Sequence, residues 1–561
     1  MRSQFKLMKF MSLCLCALLL IDLPATAVLA TTEKQSASTN RAILFTTNKA
    51  GQHDRSHSLT GHPLHSVNDA HAYIQVLPHV HRQTFTGVGG ALTDSAASVL
   101  MASHPQTRQK ILRAYFGQHG AQYTNLRLTI GSSDFSTFAY TYATRTKRTA
   151  ATPNGFSFSL KPDDVHVTPV LKAILRHSPN LRIMAAPWAP PAWMKVSQQR
   201  AGHNFLSNNS LRSSQMKAYA AYLVDYVRAQ KQRGVNIKTL SLQNELQGSS
   251  AWEAMTWTPD AAAKFITDYL GPQLRVAHLK THILVWDYVK SNQTQPVMMG
   301  FNDWTNAFYA HREVQKYVCG VGVHWYAANL DPQMSLGNLS GQPTWDDNFP
   351  NLDRFHQQQP RQQIIATEAT QERGTWLHSW TPAARYGYDI IHDYEHHVQG
   401  YIDWNLVLNG RGGPTHAVSN PCSAPINVLH AGTKQERVVI NPAYYVLKRV
   451  SCDSQPGTVS VASRTNQPHI AHTAILQQKS VVNLLLSNDS SKAQVIQVIN
   501  GHTAYTVRLT PHSFNSIDLP RSRQSALKVS PQSQTADSLK RLGHLNRHWL
   551  APFYRFFGLN D

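Results

Sequence analysis

The 561-residue chain is poor in cysteine, in acidic residues and in long apolar runs, and each shortage narrows what it can be. Of its five cysteines, Cys14 and Cys16 fall within the first thirty residues, leaving Cys319, Cys422 and Cys452. That odd set argues against a disulfide-framed fold; it leaves open either one bridge between Cys422 and Cys452 or buried free thiols. Beyond the N-terminus no apolar run approaches the ~20 residues that span a bilayer. Asp and Glu number 32 against 53 Lys and Arg, a formal net charge of +21, and 29 histidines add to it as the solution acidifies. Such a surplus draws the chain toward anionic surfaces, an anionic membrane among them. The basic residues are scattered, however, without the clustered arm or stripe of a nucleic-acid binder, so no nucleic-acid partner is expected. The histidines, including His378, His396 and His397, form no H-E-x-x-H or comparable ligand set. Val88-Gly89-Gly90 lacks the spacing of a dinucleotide fingerprint, and neither metal nor cofactor is expected.

What is present begins with a leader. Arg2, Lys6 and Lys9 precede the apolar stretch from Phe10 to Ile21, and small-residue sites follow at Ala25-Thr26-Ala27 and at Ala30. The pattern predicts a signal peptide over 1–30 and an exported protein, periplasmic or extracellular; its apolar core is short for a retained membrane anchor. Residues 31–65, rich in Ser, Thr, His and Asn, read as a flexible segment. From Ala72 to about residue 430, β-rich runs alternate with segments of helical period, as βα units around a parallel sheet do. Tyr219, Tyr222, Leu223, Tyr226 and Val227 recur at helical spacing within Ser213 to Arg233, and Gly234 stands where a C-cap belongs. Polar and aromatic residues then gather at strand ends: Leu126-Arg127-Leu128 before Asp134, Ile183-Met184 before Trp188, Ile237 to Gln243 before Asn244-Glu245, Val285-Trp286-Asp287, Val323-His324-Trp325-Tyr326, Ile364-Ile365 before Glu368, and Ile402-Asp403-Trp404. That gathering predicts an α/β fold, a (β/α)8 TIM barrel with its site at the C-terminal face. After residue 430 the helical period stops. Arg437 to Ile440, Ser480 to Leu486, Gln494 to Ile499, Ala504 to Leu509 and Ser513 to Leu519 predict an attached antiparallel β-sandwich over 431–520. The basic-aromatic tail, 521–561, is read as either an amphipathic appendage or a helix packed on the barrel.

Two carboxylates stand out. Cleaving a glycosidic bond with retention of configuration needs two carboxyl groups ~5 Å apart, one protonated for the leaving oxygen and one ionised to attack the anomeric carbon. Glu245 and Glu368 each follow a barrel strand. Asn244 could hydrogen-bond the sugar 2-hydroxyl, and a phenol such as Tyr326 could hold the Glu368 carboxylate.

Around this pair the chain resembles glycoside hydrolase family 30, and within it the lysosomal-type glucosylceramidases. The resemblance covers roughly 72–520. It rests on Phe85-Thr86-Gly87-Val88-Gly89-Gly90-Ala91-Leu92-Thr93-Asp94, Ser132-Ser133-Asp134-Phe135-Ser136, Ala186-Pro187-Trp188-Ala189-Pro190-Pro191-Ala192-Trp193, Val323-His324-Trp325-Tyr326, Thr367-Glu368-Ala369, Asp403-Trp404-Asn405-Leu406, Gly412-Gly413-Pro414 and Pro442-Ala443-Tyr444-Tyr445, in family order. It implies that Glu245 is the acid/base and Glu368 the nucleophile. It further implies that Asp134, Trp188, Asn244 and Trp404 hold the sugar, with Phe135, Trp252, His324 and Tyr326 completing the substrate-binding set. It also implies that residues 66–95 supply strands to the sandwich, leaving 96–430 as the barrel. Three features depart from the family pattern: Leu246 in place of the common Pro, a short loop from Gln247 to Thr256, and the tail. The expected partner is a glycolipid or β-glucoside, with glucosylceramide foremost; another β-glucoside, a β-xyloside and a β-1,6-glucan are the rivals. A non-catalytic carbohydrate- or lipid-binding protein is the reading from another class. Oligomeric state is left open.

Overall fold

The computed structural model describes residues 41–202, 208–248, 250–292, 298–326, 348–477, 481–520 and 522. The expected leader and almost all of the expected tail lie outside the described residues. Eight parallel strands close a barrel in chain order: β1 Gly87–Leu92, β2 Asn125–Ile130, β3 Arg182–Pro187, β4 Ile237–Ser241, β5 His282–Val289, β6 Val318–His324, β7 Gln363–Glu368 and β8 Gly400–Asp403. Every residue of β1 and β2 is buried, as strands covered on both faces must be. The Gly-rich composition of β1 follows from its place between β8 and β2: a Cβ on Gly89 would lie 1.9 Å from the Asn125 carbonyl oxygen. The tyrosine-rich segment forms a helix, Met216–Gln232, that buries Tyr219, Tyr222 and Tyr226; Gly234 follows at φ +82, left-handed backbone that favours glycine. No helix among the described residues is long and apolar enough to cross a membrane.

Beside the barrel lies a ten-stranded, mostly antiparallel sheet. Its order is Arg55–Thr60, Arg41–Asn48, Ser513–Leu519, Val482–Asn488, Ala471–Leu476, Val459–Thr465, Tyr73–Thr84, Gln494–Asn500, Thr503–Leu509 and His62–Pro63. N-terminal and C-terminal strands thus interleave around one apolar core that contains Ala42, Leu44, Ile74, Leu484, Val498 and Ile517. Helices Trp380–Glu395 and Pro442–Asp453 pack together, and the first also lies against the sheet, with the Phe514 ring over Gly387.

Four expectations are corrected. Residues 41–60 are not part of a flexible segment: Arg41–Asn48 pairs with Ser513–Leu519, and Ala42, Leu44 and Leu59 enter a core there. Gly87–Leu92 belongs to the barrel, not to the attached sheet. Arg437–Ile440 pairs with Ile426–Leu429 in a separate three-stranded sheet. Immediately after it the chain is helical, Pro442–Asp453 starting with Pro at its first turn, where only strands were read. Of the two cysteine readings the structure takes the second: Cys319, Cys422 and Cys452 are all free thiols.

Candidate active site

The strands deliver their C-terminal residues to one centre. Glu368 is the last residue of β7, and its side chain is 9% exposed. Glu245 stands four residues past β4 in a turn stitched to its neighbours: the Asn244 amide donates to the Pro187 carbonyl at 2.9 Å and the Glu245 amide to that of Asp287 at 2.8 Å. Glu245 has φ +49, and Trp286 and Asp287 on the adjoining strand are left-handed too, at +68 and +49. Non-glycine residues hold such backbone only where surrounding contacts compel it, and these three surround the centre. Donor atoms of Glu245, His324 and Glu368 all lie within 4.8 Å of one another.

Arg127, fully buried on β2, neutralises this carboxylate cluster. Its guanidinium donates to Glu368 Oε2 at 2.5 Å, to Asn244 Oδ1 at 2.8 Å and to Asp287 Oδ2 at 3.0 Å. Tyr326 donates its phenol to the other Glu368 oxygen at 3.3 Å. His324, also fully buried, lies between Asp287 Oδ1 at 3.1 Å and Glu245 Oε1 at 3.4 Å. Burial alone would lower its pKa, but the charge of Glu368 and its contacts to Asp287 and Glu245 outweigh it and raise it to about 9. Burial would likewise raise Asp287, yet Arg127 and His324 hold it far below the usual carboxylate range. Glu368 is raised above its ordinary value, burial with the charges of Glu245 and Asp287 outweighing the downward pull of His324 and Arg127. Three carboxyl groups thus share Arg127 and His324 as basic neighbours. A divalent ion among Glu245, His324 and Glu368 would have to displace the Arg127 pairing and the His324 proton, so these residues suit proton and nucleophile chemistry and not metal ligation.

Above the pair opens a cavity of about 270 Å³ whose lining includes Asp134, Phe135, Trp188, Asn244, Glu245, Trp252, Tyr326, Glu368, Glu372, Trp404, Asn420 and Cys422. Trp188 and Trp404 stack at 5.2 Å with Phe135 edge-on to Trp404, and the Arg127 guanidinium lies 5.1 Å from the Trp188 ring centre. This apolar wall suits the C–H face of a sugar. Asp134 accepts from the Asn420 amide at 2.8 Å. Burial, only partly offset by that hydrogen bond and reinforced by Glu368 and Glu245, raises its pKa to about 7.

Nine of the ten residues singled out from the sequence line this cavity; His324 does not. It sits beneath, in contact with Glu245 and Asp287, and is a positioning group where substrate binding was expected. Sequence reasoning passed over Arg127, Asp287, Asn420, Glu372 and Cys422 as site residues. A signal existed for Arg127: an arginine between two leucines of a buried barrel strand must have buried anionic partners. Asn420 and Cys422 carry no such mark, since a loop residue's reach depends on the folded course of the loop.

A close carboxylate pair in an aromatic-walled cavity at the C-terminal mouth of a parallel barrel is the equipment of a glycosidase. The family model described as the glycosyl hydrolase family 30 TIM-barrel domain matches residues 85–452, and the chain belongs to that family, with glycoside hydrolysis as its activity. It is 27% identical over 449 residues to the lysosomal acid glucosylceramidase of Mus musculus, covering 77% of this chain and 80% of that protein. It is 25% identical over 500 residues to the endo-1,6-beta-D-glucanase neg1 of Aspergillus fumigatus, covering 85% and 91%. Among solved structures, SrfJ from Salmonella typhimurium superposes with a TM-score of 0.75 at 23% identity, over 86% of this chain and all of that one.

Proposed function

We propose that the protein is a retaining β-glucosidase that hydrolyses glucosylceramide or a related lipid-linked glucoside, with Glu368 as nucleophile and Glu245 as acid/base. The observation that carries the mechanism is the approach of Glu245 and Glu368 to within 4.8 Å, the short spacing that retention uses and that leaves no room for a water between carboxylates. Glu368 attacks the anomeric carbon as the bond to the leaving oxygen breaks and Glu245 donates its proton there. Glu245 then takes a proton from the water that displaces Glu368 and releases glucose. Arg127, Tyr326 and His324 favour the ionised form of Glu368 through the contacts described above. Asp134 and Asn244 serve as partners for the sugar hydroxyls, and Trp188, Trp404 and Phe135 as the wall.

The lipid substrate rests on the likeness to a glucosylceramidase. The likeness to an endo-1,6-glucanase supports β-1,6-glucan hydrolysis as the second reading. Against an extended chain stands the cavity, at about 270 Å³ below the ~300–1,000 Å³ of ordinary ligand pockets and of the scale of one sugar ring. The same proposal takes the enzyme to be exported through its basic-apolar leader, and its surplus of positive charge to favour peripheral contact with anionic membrane.

The test is hydrolysis of fluorescent glucosylceramide, a soluble aryl β-glucoside and a β-1,6-glucan by the purified protein at pH 5 and pH 7. Turnover of the first two supports the proposal. Turnover of the glucan without the ceramide moves the substrate to the second reading, and inversion at the anomeric carbon, read by NMR of the first-formed sugar, would overturn the mechanism.

A further inference from the structure

Trp252 lines the cavity from the loop that also carries Glu245, the proposed proton donor to the leaving group. Its neighbour Glu253 is not among the lining residues and is 5% exposed. The Glu253 carboxylate gathers three other loops of the barrel mouth. Ser132, following β2, donates to Oε1 at 2.5 Å. Arg200, following β3, has its guanidinium 3.9 Å from the same oxygen. His416, following β8, has Nε2 3.2 Å from Oε2. That approach is an ion-pair contact without hydrogen-bond geometry, and among the described residues neither of those last two atoms has a hydrogen-bond partner. His416 in turn donates its backbone amide to the Asp134 carbonyl at 2.9 Å, so the contact also reaches the sugar-binding side.

The backbone around Glu253 is held from below. The buried Lys195 ammonium donates to the carbonyls of Arg200 at 3.0 Å, Ala201 at 3.3 Å and Ala254 at 2.6 Å. Gly202 donates to the Ser250 and Trp252 carbonyls at 2.8 and 3.2 Å. Burial would raise the Glu253 carboxyl, but the His416 contact and the Ser132 hydrogen bond keep it below its ordinary value, and Glu253 in turn raises His416. Neither Glu253 nor His416 lines the cavity.

We infer that Glu253 and His416 form a clasp that fixes the loop of Trp252 at the leaving-group side and thereby sets selectivity for the aglycone; both are positioning residues. The inference rests on the assignment of Glu245 as acid/base. A tie spanning loops after β2, β3, β4 and β8 constrains where the indole sits without touching the sugar. Releasing it should cost substrates in proportion to the aglycone contact they make.

The experiment compares octyl β-glucoside, with a bulky leaving group, and β-glucosyl fluoride, with a minimal one, in Glu253→Gln, His416→Gln and the double variant. The expected result is a fall of about tenfold in kcat/KM for the octyl glucoside, carried by KM, with the fluoride within about twofold. The double variant should lose no more than either single one, because both cut the same link. Equal losses on the two substrates, an unchanged ratio, or additive losses would overturn the clasp. Should Glu253→Gln fail to fold, His416→Gln carries the test, since its ring lies at the edge of the mouth with 14% of its side chain exposed. Failure of the underlying assignment reads separately: Glu245→Gln losing both substrates equally would remove the leaving-group side on which the clasp is placed.

Discussion

Removing Arg127 would leave the buried Asp287 and the cavity-lining Glu368 without the guanidinium that pairs them both. Breaking a buried ion pair from one side costs ~3–5 kcal/mol, so Arg127→Met should lower stability by about that amount in urea unfolding, besides abolishing turnover. A loss under about 1 kcal/mol would show that the carboxylates take up protons instead. Glu368→Gln keeps the shape and a hydrogen-bond acceptor, and should reduce kcat by a factor on the order of 10³ or more with the fold intact. Glu245→Gln should cost ~10²–10⁴ on poor leaving groups and far less on activated ones, which depart without a proton. Wild-type turnover of unactivated glucosides by either variant would sink its assignment. The pH dependence of stability has a definite sign. His324 is raised from 6.5 to about 9, so its contribution is fully present below pH 6.5 and is lost as pH rises through about 9. Asp287 is lowered, so its contribution is present above pH 3.8 and is lost as pH falls toward its folded value. Melting temperatures of the wild type should therefore fall on the alkaline side between pH 7 and 9.5, and His324→Gln should flatten that limb.

At the scale of elements, the helix Met216–Gln232 presents a row of tyrosines to the barrel, Tyr219, Tyr222 and Tyr226, stacked among Tyr142 and Phe265. The Tyr219 hydroxyl is buried with no hydrogen-bond partner among the described residues. An unsatisfied buried hydroxyl costs ~1–3 kcal/mol, so Tyr219→Phe should be neutral or stabilising in thermal unfolding. Tyr219→Ala should cost ~3–5 kcal/mol through the cavity it leaves. A destabilising Tyr219→Phe would reveal a water or other partner for that oxygen.

Across the whole molecule, the attached sheet draws strands from both ends of the described chain. Arg41–Asn48 covers Ser513–Leu519, the last strand. Removing residues 1–65 should uncover that strand and lower the melting temperature, with barrel activity falling as the fold loosens. Removing 523–561 takes away none of these strands and should spare hydrolysis of a soluble glucoside. Equal tolerance of the two trims would mean that the N-terminal strands contribute little; failure of the second to fold would make the tail part of the core.

What was legible beforehand follows from the range over which each signal acts. Glu245, Glu368, Asp134 and Trp404 stand beside strand-ending motifs, and a strand's C-terminal end points toward the barrel mouth wherever the rest of the chain goes, so the sequence by itself determined the barrel, its rim and the pair of carboxylates. The strands at 41–60 escaped notice because the apolar run Ala42 to Phe45 is short and set in a stretch rich in Ser, Thr, His and Asn, and only pairing with a strand more than 450 residues away gives Ala42 and Leu44 a core. The same holds for the charges. That Arg127 neutralises Glu368, that His324 lies under Glu245 instead of facing the sugar, and that Glu253 meets His416 were decided by tertiary structure alone. A side chain's partners come from other strands and loops, and no local pattern encodes the distance between residues the chain separates by a hundred positions or more.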